Sequence, residues 1–213
     1  PAGGAVDPKD RLAVWQELET GIDAIGTDPR AADRALGRAL ALDPGNGLAL
    51  KYLGDLAFRA GNDRAAADRY TLALRAGFIH PDVFVNLATI AARAGRSAEA
   101  RRHLERAVAL DPGAADAWNQ LGILRASAGD LRGARDAFAR AIDAAPGRPE
   151  AYYNLALIDR REGAERAARS RLEQAIERDP AYADAHYELG AGHLAARQLA
   201  EALAEFRAAL AGR

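Results

Sequence analysis

The side chains that most often carry out chemistry in proteins are sparse in this sequence of 213 residues. There is no cysteine, which excludes a thiol nucleophile, a disulfide and a cysteine-ligated zinc. Serine occurs only at Ser97, Ser127 and Ser170. None of these serines stands in a GxSxG motif, and the HExxH, Walker A and GxGxxG motifs are also missing. We therefore expect no catalysis by this chain.

The histidines are the remaining candidates for metal binding or proton transfer. They are His80, His103, His186 and His193. His186 and His193 are seven residues apart, which corresponds to about 10.5 Å along a helix. One metal ion cannot bridge that distance, because its bonds to histidine nitrogens are about 2 Å long. We expect both side chains to pack between helices, and we expect neither a metal nor any other cofactor.

Charge and hydropathy narrow the classes of partner. Lys and Arg number 29 and Asp and Glu number 30, which gives a net charge of −1. Nucleic-acid binding depends on a surplus of basic residues, so we expect no nucleic-acid partner. No apolar run approaches the roughly 18 residues that a membrane span requires, so we expect a soluble chain without membrane insertion. Alanine supplies 54 residues, which favours closely packed helices.

Several residue types recur every 34 residues along the chain. One series is large and apolar, at Tyr70, Leu104, Phe138, Leu172 and Phe206. A second series is small, at Gly54, Ala88, Gly122, Ala156 and Gly190. Glycines that can end a helix stand between the two series, at Gly61, Gly95, Gly129 and Gly163. Because the apolar residues follow helical spacing on both sides of these glycines, each unit is predicted to be a helical hairpin.

The third unit carries the clearest motif, with Trp118, Leu121, Gly122, Ala134, Phe138 and Pro146. These types at these spacings resemble the tetratricopeptide repeat (TPR) family over about residues 8 to 213. The resemblance implies an all-α fold, a right-handed α-solenoid of tandem helix-turn-helix repeats with about twelve helices and no sheet. It also implies a non-catalytic scaffold that binds a peptide or protein segment in a concave groove lined by the first helix of each repeat.

We divide the chain into a linker, a degenerate helical pair and five repeats, at residues 1–6, 7–46, 47–80, 81–114, 115–148, 149–182 and 183–213. In the degenerate pair, Asp7-Pro8 and Asp28-Pro29 are predicted to be helix N-caps followed by a first-turn proline. The packing stripe of its first helix is predicted at Leu12, Trp15, Leu18, Ile22 and Ile25. No separate capping helix follows the fifth repeat, so apolar surface on its second helix would be open to self-association.

The repeat register predicts which side chains line the groove. Three amides could hold a peptide backbone, because a carboxamide both donates and accepts hydrogen bonds: Asn86, Gln120 and Asn154. Four apolar residues could anchor the ligand: Tyr153, Tyr187, Ile123 and Leu157. Three cations would favour an acidic segment: Arg59, Arg93 and Arg161. Two other interpretations remain open, since the amides could instead bridge adjacent repeats and the tyrosines could pack between neighbouring first helices.

The segment Asp7 to Leu12 has a second, weaker resemblance, to the joint where bacterial sulfatase-like hydrolases pass into a C-terminal repeat array. It implies an alternative function, an accessory or oligomerisation domain of a larger enzyme whose catalytic part is elsewhere. It would also imply an extracytoplasmic location, whereas without it we expect a cytoplasmic one. The sequence does not name the protein partner in either case.

Overall fold

The computed structural model describes residues 8–212. These residues form twelve helices and no strand, with the bounds α1 Pro8–Ala24, α2 Pro29–Leu42, α3 Gly47–Arg59, α4 Asp63–Arg75, α5 Pro81–Arg93, α6 Ser97–Leu110, α7 Ala115–Ser127, α8 Leu131–Ala144, α9 Glu150–Arg161, α10 Glu165–Arg178, α11 Ala183–Ala195 and α12 Leu199–Ala211. The predicted all-α helical-repeat class is therefore confirmed. Each predicted repeat holds one helix pair, and the division into repeats stays a prediction.

Local sequence explains where these helices begin and end. Asn62 accepts a hydrogen bond from the Ala65 amide and caps α4, and Asp130 caps α8 through the Gly133 amide. Asp28 caps α2 with Pro29 in the first turn, as predicted. The predicted breaker glycines have positive φ angles of 74°, 73°, 84° and 76°, at Gly61, Gly95, Gly129 and Gly163. In the fifth repeat Arg197 adopts the same left-handed turn, at φ 60°, where a side chain is disfavoured.

Two compact units make up the chain, and each has its own apolar core. Unit 1 ends at His103 and unit 2 begins at Leu104. In unit 1, one buried cluster includes Leu18, Leu36 and Leu53, and another surrounds Tyr70. In unit 2, one cluster surrounds Phe138 and includes Ala134, Leu155 and Ile158. A second cluster surrounds Leu172 and includes Ala156, Ala168 and Leu189. The large residues of the 34-residue series are thus buried within the units, as their spacing indicated, except that Phe206 on α12 is half-buried.

The N-terminal pair departs from the predicted packing stripe. Leu18 is buried, but Leu12 and Trp15 are 64% and 66% exposed, and Val14 occupies the core position instead. The predicted stripe was wrong at these two residues because α1 presents its Val14–Leu18 face to α2. The prediction for Asp7 and the predicted linker at residues 1–6 lie outside the described residues.

Candidate functional site

The first helices of three successive repeats lie side by side in unit 2. The Asn154 amide nitrogen on α9 donates to the Asn119 amide oxygen on α7, at 2.9 Å. On its other side α9 meets α11, where Arg160 forms an ion pair with Glu188. These two contacts place α9 between α7 and α11, and the three helices present a common set of side chains. We call this surface the α7–α9–α11 face.

The predicted apolar anchors lie on these three helices and are open to different degrees. Ile123 on α7 is 46% exposed and Tyr187 on α11 is 54% exposed. Tyr153 and Leu157 on α9 are half-buried. The Tyr187 ring lies 5.6 Å from that of Phe206, so its base is supported while its outer surface meets solvent. An apolar group of this size with a packed base and an open surface is typical of a binding anchor.

Tyr153 also packs within the protein. Its ring meets Tyr182 edge-on, with the centroids 5.6 Å apart. Burial raises the pKa of the Tyr153 hydroxyl, and the Asp184 carboxylate raises it further. Burial raises the pKa of Tyr182 to about 12, again with Asp184 as the next cause. Both hydroxyls are therefore neutral at physiological pH and are available as hydrogen-bond donors.

The predicted amides have hydrogen-bond partners within the protein. Asn154 bridges two repeats through Asn119, and this matches the interpretation that the amides join adjacent repeats. In unit 1, the Asn86 amide nitrogen donates to the Tyr70 hydroxyl at 2.8 Å. Gln120 is half-buried on α7. A carboxamide has two N–H donors and one oxygen, so one internal bond leaves Asn154 with further capacity for a ligand.

The predicted cations are distributed over both units. Arg93 in unit 1 donates to Asp63 at 2.8 Å, and its guanidinium lies 4.8 Å from the centre of the Phe58 ring. Arg59 is an exposed residue of the same unit. In unit 2, Arg161 is exposed at the end of α9. Because Arg93 is already paired, its charge is partly neutralised before any ligand arrives, whereas Arg161 extends from the helix that also carries Tyr153.

A polar network in unit 1 went unrecognised in the sequence. The Tyr70 hydroxyl donates to one carboxylate oxygen of Asp55 at 2.8 Å, and Lys51 contacts the other at 2.7 Å. Asn86 completes the network through its bond to the Tyr70 hydroxyl. The signal was available, because the other members of the large apolar series are leucine or phenylalanine. A buried tyrosine hydroxyl requires a hydrogen-bond partner.

The histidines take structural positions. His186 is 9% exposed, and its two ring nitrogens lie 2.6 Å from the Glu205 carboxylate and 3.1 Å from the Pro180 carbonyl oxygen. The His193 ring lies 2.9 Å from the Gln198 side-chain oxygen. Within residues 8–212 no three His, Cys, Asp or Glu side chains come close enough together to ligate a metal ion. Across the same residues, no helix is both long and apolar enough to span a membrane.

The comparison with protein families assigns the chain to one of them. The model of the tetratricopeptide repeat matches residues 26–77, 85–149, 119–165 and 153–213. This chain belongs to the tetratricopeptide repeat family. The match lends no support to the sulfatase-like resemblance near residues 7–12. Compared with curated proteins, the sequence has no significant match.

Solved structures show the same fold. MamA matches with a TM-score of 0.68 and 23% identity, over 80% of this chain and 93% of that chain. YrrB, described as a TPR protein with an unusual peptide-binding site, has a TM-score of 0.68 and 24% identity, over 85% and 97%. PilF of Pseudomonas aeruginosa reaches a TM-score of 0.79 at 17% identity, over 92% and 90%. At these identities the likeness is one of fold.

Proposed function

We propose that this protein is a non-catalytic interaction scaffold that binds a peptide segment on the α7–α9–α11 face of unit 2. Tyr187 and Ile123 are the outer anchors, with Tyr153 and Leu157 between them. The observation that carries the proposal is the exposure of Tyr187 and Ile123 at 54% and 46% on helices joined through α9. Covering such side chains contributes roughly 25 cal/mol for each Å² of apolar surface removed from water.

Polar groups beside the anchors would orient the peptide. In the proposed complex Asn154 and Gln120 hold the peptide backbone, and Arg161 favours an acidic side chain. In unit 1, Asn86 and Arg59 would do the same for a segment bound there, while Arg93 would first have to exchange Asp63 for the ligand. YrrB, which shares the fold, is described as having a peptide-binding site. That description supports the class of ligand.

The decisive experiment compares the wild-type chain with the variant Tyr153→Ala, Tyr187→Ala, Asn154→Ala. Both serve as bait in lysate, and the affinity of a captured partner is then measured with purified components by calorimetry. We expect the affinity to fall at least about tenfold, since an aromatic anchor at an interface commonly contributes about 2 kcal/mol. The matched control is Leu199→Ala, Leu203→Ala, which removes two exposed apolar side chains from α12 instead.

Equal affinity of the triple variant and the wild-type chain, with unchanged helicity and melting temperature, would show that binding takes place elsewhere. If only the Leu199→Ala, Leu203→Ala variant lost affinity, the binding site would lie on α12. Either result contradicts the proposal for the α7–α9–α11 face.

Self-association through α12 is a second candidate function. Leu199, Leu203 and Leu210 are 67%, 50% and 71% exposed, and they lie on one side of this helix at helical spacing. We infer that a second copy of this chain would cover this apolar stripe.

A further inference from the structure

Two successive junctions between repeats in unit 2 are built from different residues. In the first, where α8 meets α9, Ile158 is 4% exposed and packs with Phe138, and Leu131 joins the same cluster. In the second junction, where α10 meets α11, Gly192 takes the position of Ile158 and Glu165 takes the position of Leu131, each 34 residues later. The apolar cluster there contains Leu172 and Leu189 but nothing from position 192.

A cavity of about 350 Å³ occupies the second junction. Its apolar wall includes Leu172, Leu189 and Gly192. A Cβ atom built on Gly192 would meet no atom within 4 Å, so the space next to this residue is open. All four other repeats place a branched aliphatic residue at this position: Leu56, Ile90, Leu124 and Ile158. Gly192 lacks that side chain, so the space beside it is open, while the equivalent junction of α2 with α3 also has a cavity, of about 530 Å³, beside Leu56.

The charged groups at this cavity also differ from those of the first junction. In the first junction Arg135 contacts both Asp159 and Glu162, each at 2.6 Å. The residue 34 positions after Arg135 is Arg169, which lines the cavity. The positions that would supply its acids are occupied by His193 and Ala196.

Arg169 consequently lacks the two acidic partners that Arg135 has in the first junction. Over the described part of the chain it has neither an ion pair nor a hydrogen bond from its side chain. The other guanidinium at the cavity, that of Arg160, is paired with Glu188. Glu165 also lines the cavity and would repel a second acidic group. The cavity therefore combines an apolar space with two oppositely charged side chains of α10, Arg169 and Glu165, which lie one helical turn apart.

We propose that this cavity binds a peptide segment in which an aliphatic residue is followed by an acidic residue. The aliphatic side chain fills the space beside Gly192, and the carboxylate pairs with Arg169. The chain itself displays this chemistry one repeat earlier, where the consecutive residues Ile158 and Asp159 fill the junction and pair with Arg135. The cavity contains none of the anchors of the α7–α9–α11 face, although the Arg160–Glu188 pair that joins α9 to α11 also lines it.

The test is an NMR titration of the ¹⁵N-labelled full chain with the peptide Ac-Ala-Ile-Asp-Ala-NH₂. We expect saturable shifts at the backbone amides of Gly192 and Arg169. Replacing Ile by Ala in the peptide should weaken binding about tenfold or more, because most of the apolar surface that the branched side chain buries would be lost. Replacing Asp by Asn should weaken it about fivefold, through loss of the charge-assisted pair.

Two protein variants complete the test. The double variant Gly192→Ile, His193→Asp rebuilds the first junction within the second, so it should no longer bind the peptide while its melting temperature is at least that of the wild-type chain. Arg169→Gln should weaken binding about fivefold, whereas Arg166→Gln, an exposed change on the same helix outside the cavity, should leave it unaltered.

Three results would overturn the inference: no saturable shift at about 20 mM peptide, undiminished binding by the filled double variant, or shifts confined to Tyr153 and Tyr187. The last result would place the peptide on the α7–α9–α11 face and so favour the proposed function alone. Conversely, shifts at Gly192 together with an ineffective Tyr153→Ala, Tyr187→Ala, Asn154→Ala bait would support this cavity and contradict that face.

Discussion

Tyr70 shows how a single hydroxyl group changes the character of a repeat. Its side chain is fully buried, and the hydroxyl donates to Asp55 while it accepts from Asn86. Burial raises the pKa of this hydroxyl well above its usual value, and the hydrogen bond to Asp55 raises it further. Asn86, expected from the sequence to hold a peptide, thus has a structural task in unit 1.

Tyr70→Phe should lower the free energy of unfolding by about 1–2 kcal/mol at pH 7, because Asp55 and Asn86 both lose a partner. The raised pKa adds a pH dependence. The neutral Tyr70 hydroxyl contributes its full stabilisation below the unfolded-state tyrosine pKa, which is near 10. This stabilisation is lost progressively as the pH rises above that value. The variant should therefore lose less stability than the wild-type chain between about pH 10 and 11.

Urea unfolding followed by circular dichroism at a series of pH values measures both effects. Tyr187→Phe is the control, since it removes the hydroxyl group of a tyrosine that is 54% exposed. Identical alkaline unfolding curves for Tyr70→Phe and the wild-type chain would contradict the assignment.

Within each helix pair, the size of one residue is matched to that of its partner on the other helix. A Cβ atom on Gly54 would lie 2.6 Å from the Tyr70 ring, and one on Gly122 would lie 2.5 Å from the Phe138 ring. Where the pair has Ala156 instead, the partner is the smaller Leu172. Glycine thus occurs where an aromatic ring must lie against the backbone of the first helix.

Gly122→Ala should destabilise the protein by about 1–3 kcal/mol, because the added methyl group overpacks the contact with Phe138. Adding Phe138→Leu should recover part of that loss, since Ala with Leu is the combination found at Ala156 and Leu172. A double-mutant cycle from urea unfolding gives the coupling energy between the two sites.

The matched control for this cycle is Gly37→Ala on α2, where a Cβ atom would meet nothing within 4 Å. This exposed change should stabilise the helix by up to about 1 kcal/mol. Additive effects of Gly122→Ala and Phe138→Leu would refute the size-matching account.

At the scale of the whole molecule, the chain is two compact units with independent apolar cores. Repeat proteins of this kind bury apolar surface by stacking successive helix pairs, and a helix whose outer face is not covered leaves leucines exposed. On α12 of unit 2 these are Leu199, Leu203 and Leu210. They carry the proposal that a second copy covers this helix.

The variant Leu203→Arg, Leu210→Arg should abolish that association, because it places two charges in the contact. Light scattering over about 10 to 500 µM protein should show a concentration-dependent rise in mass for the wild-type chain and a constant monomer mass for the variant. The control variant Leu72→Arg alters an exposed leucine of unit 1 and should associate as the wild type does. A wild-type chain that is monomeric throughout this range would end the proposal.

The sequence by itself determined the helical hairpins, their number and the turns between them. Gly61, Gly129 and the Asp28-Pro29 cap act on their immediate neighbours, and helical spacing within a few residues marks each apolar face. Such local signals do not depend on where the rest of the chain lies. Membership of a repeat family follows from the same periodicity.

Only the tertiary structure decided which side chains meet across helices. It exposed Trp15, gave Asn86 and Asn154 partners within the protein and left an open cavity beside Gly192. These outcomes depend on distances between residues on different helices, which are 16 positions apart for Asn86 and Tyr70 and 35 for Asn154 and Asn119. The distances are set by how closely the helices approach. Periodicity brings equivalent positions into register, but the sizes and charges of the actual neighbours decide whether a position is filled, paired or free to bind.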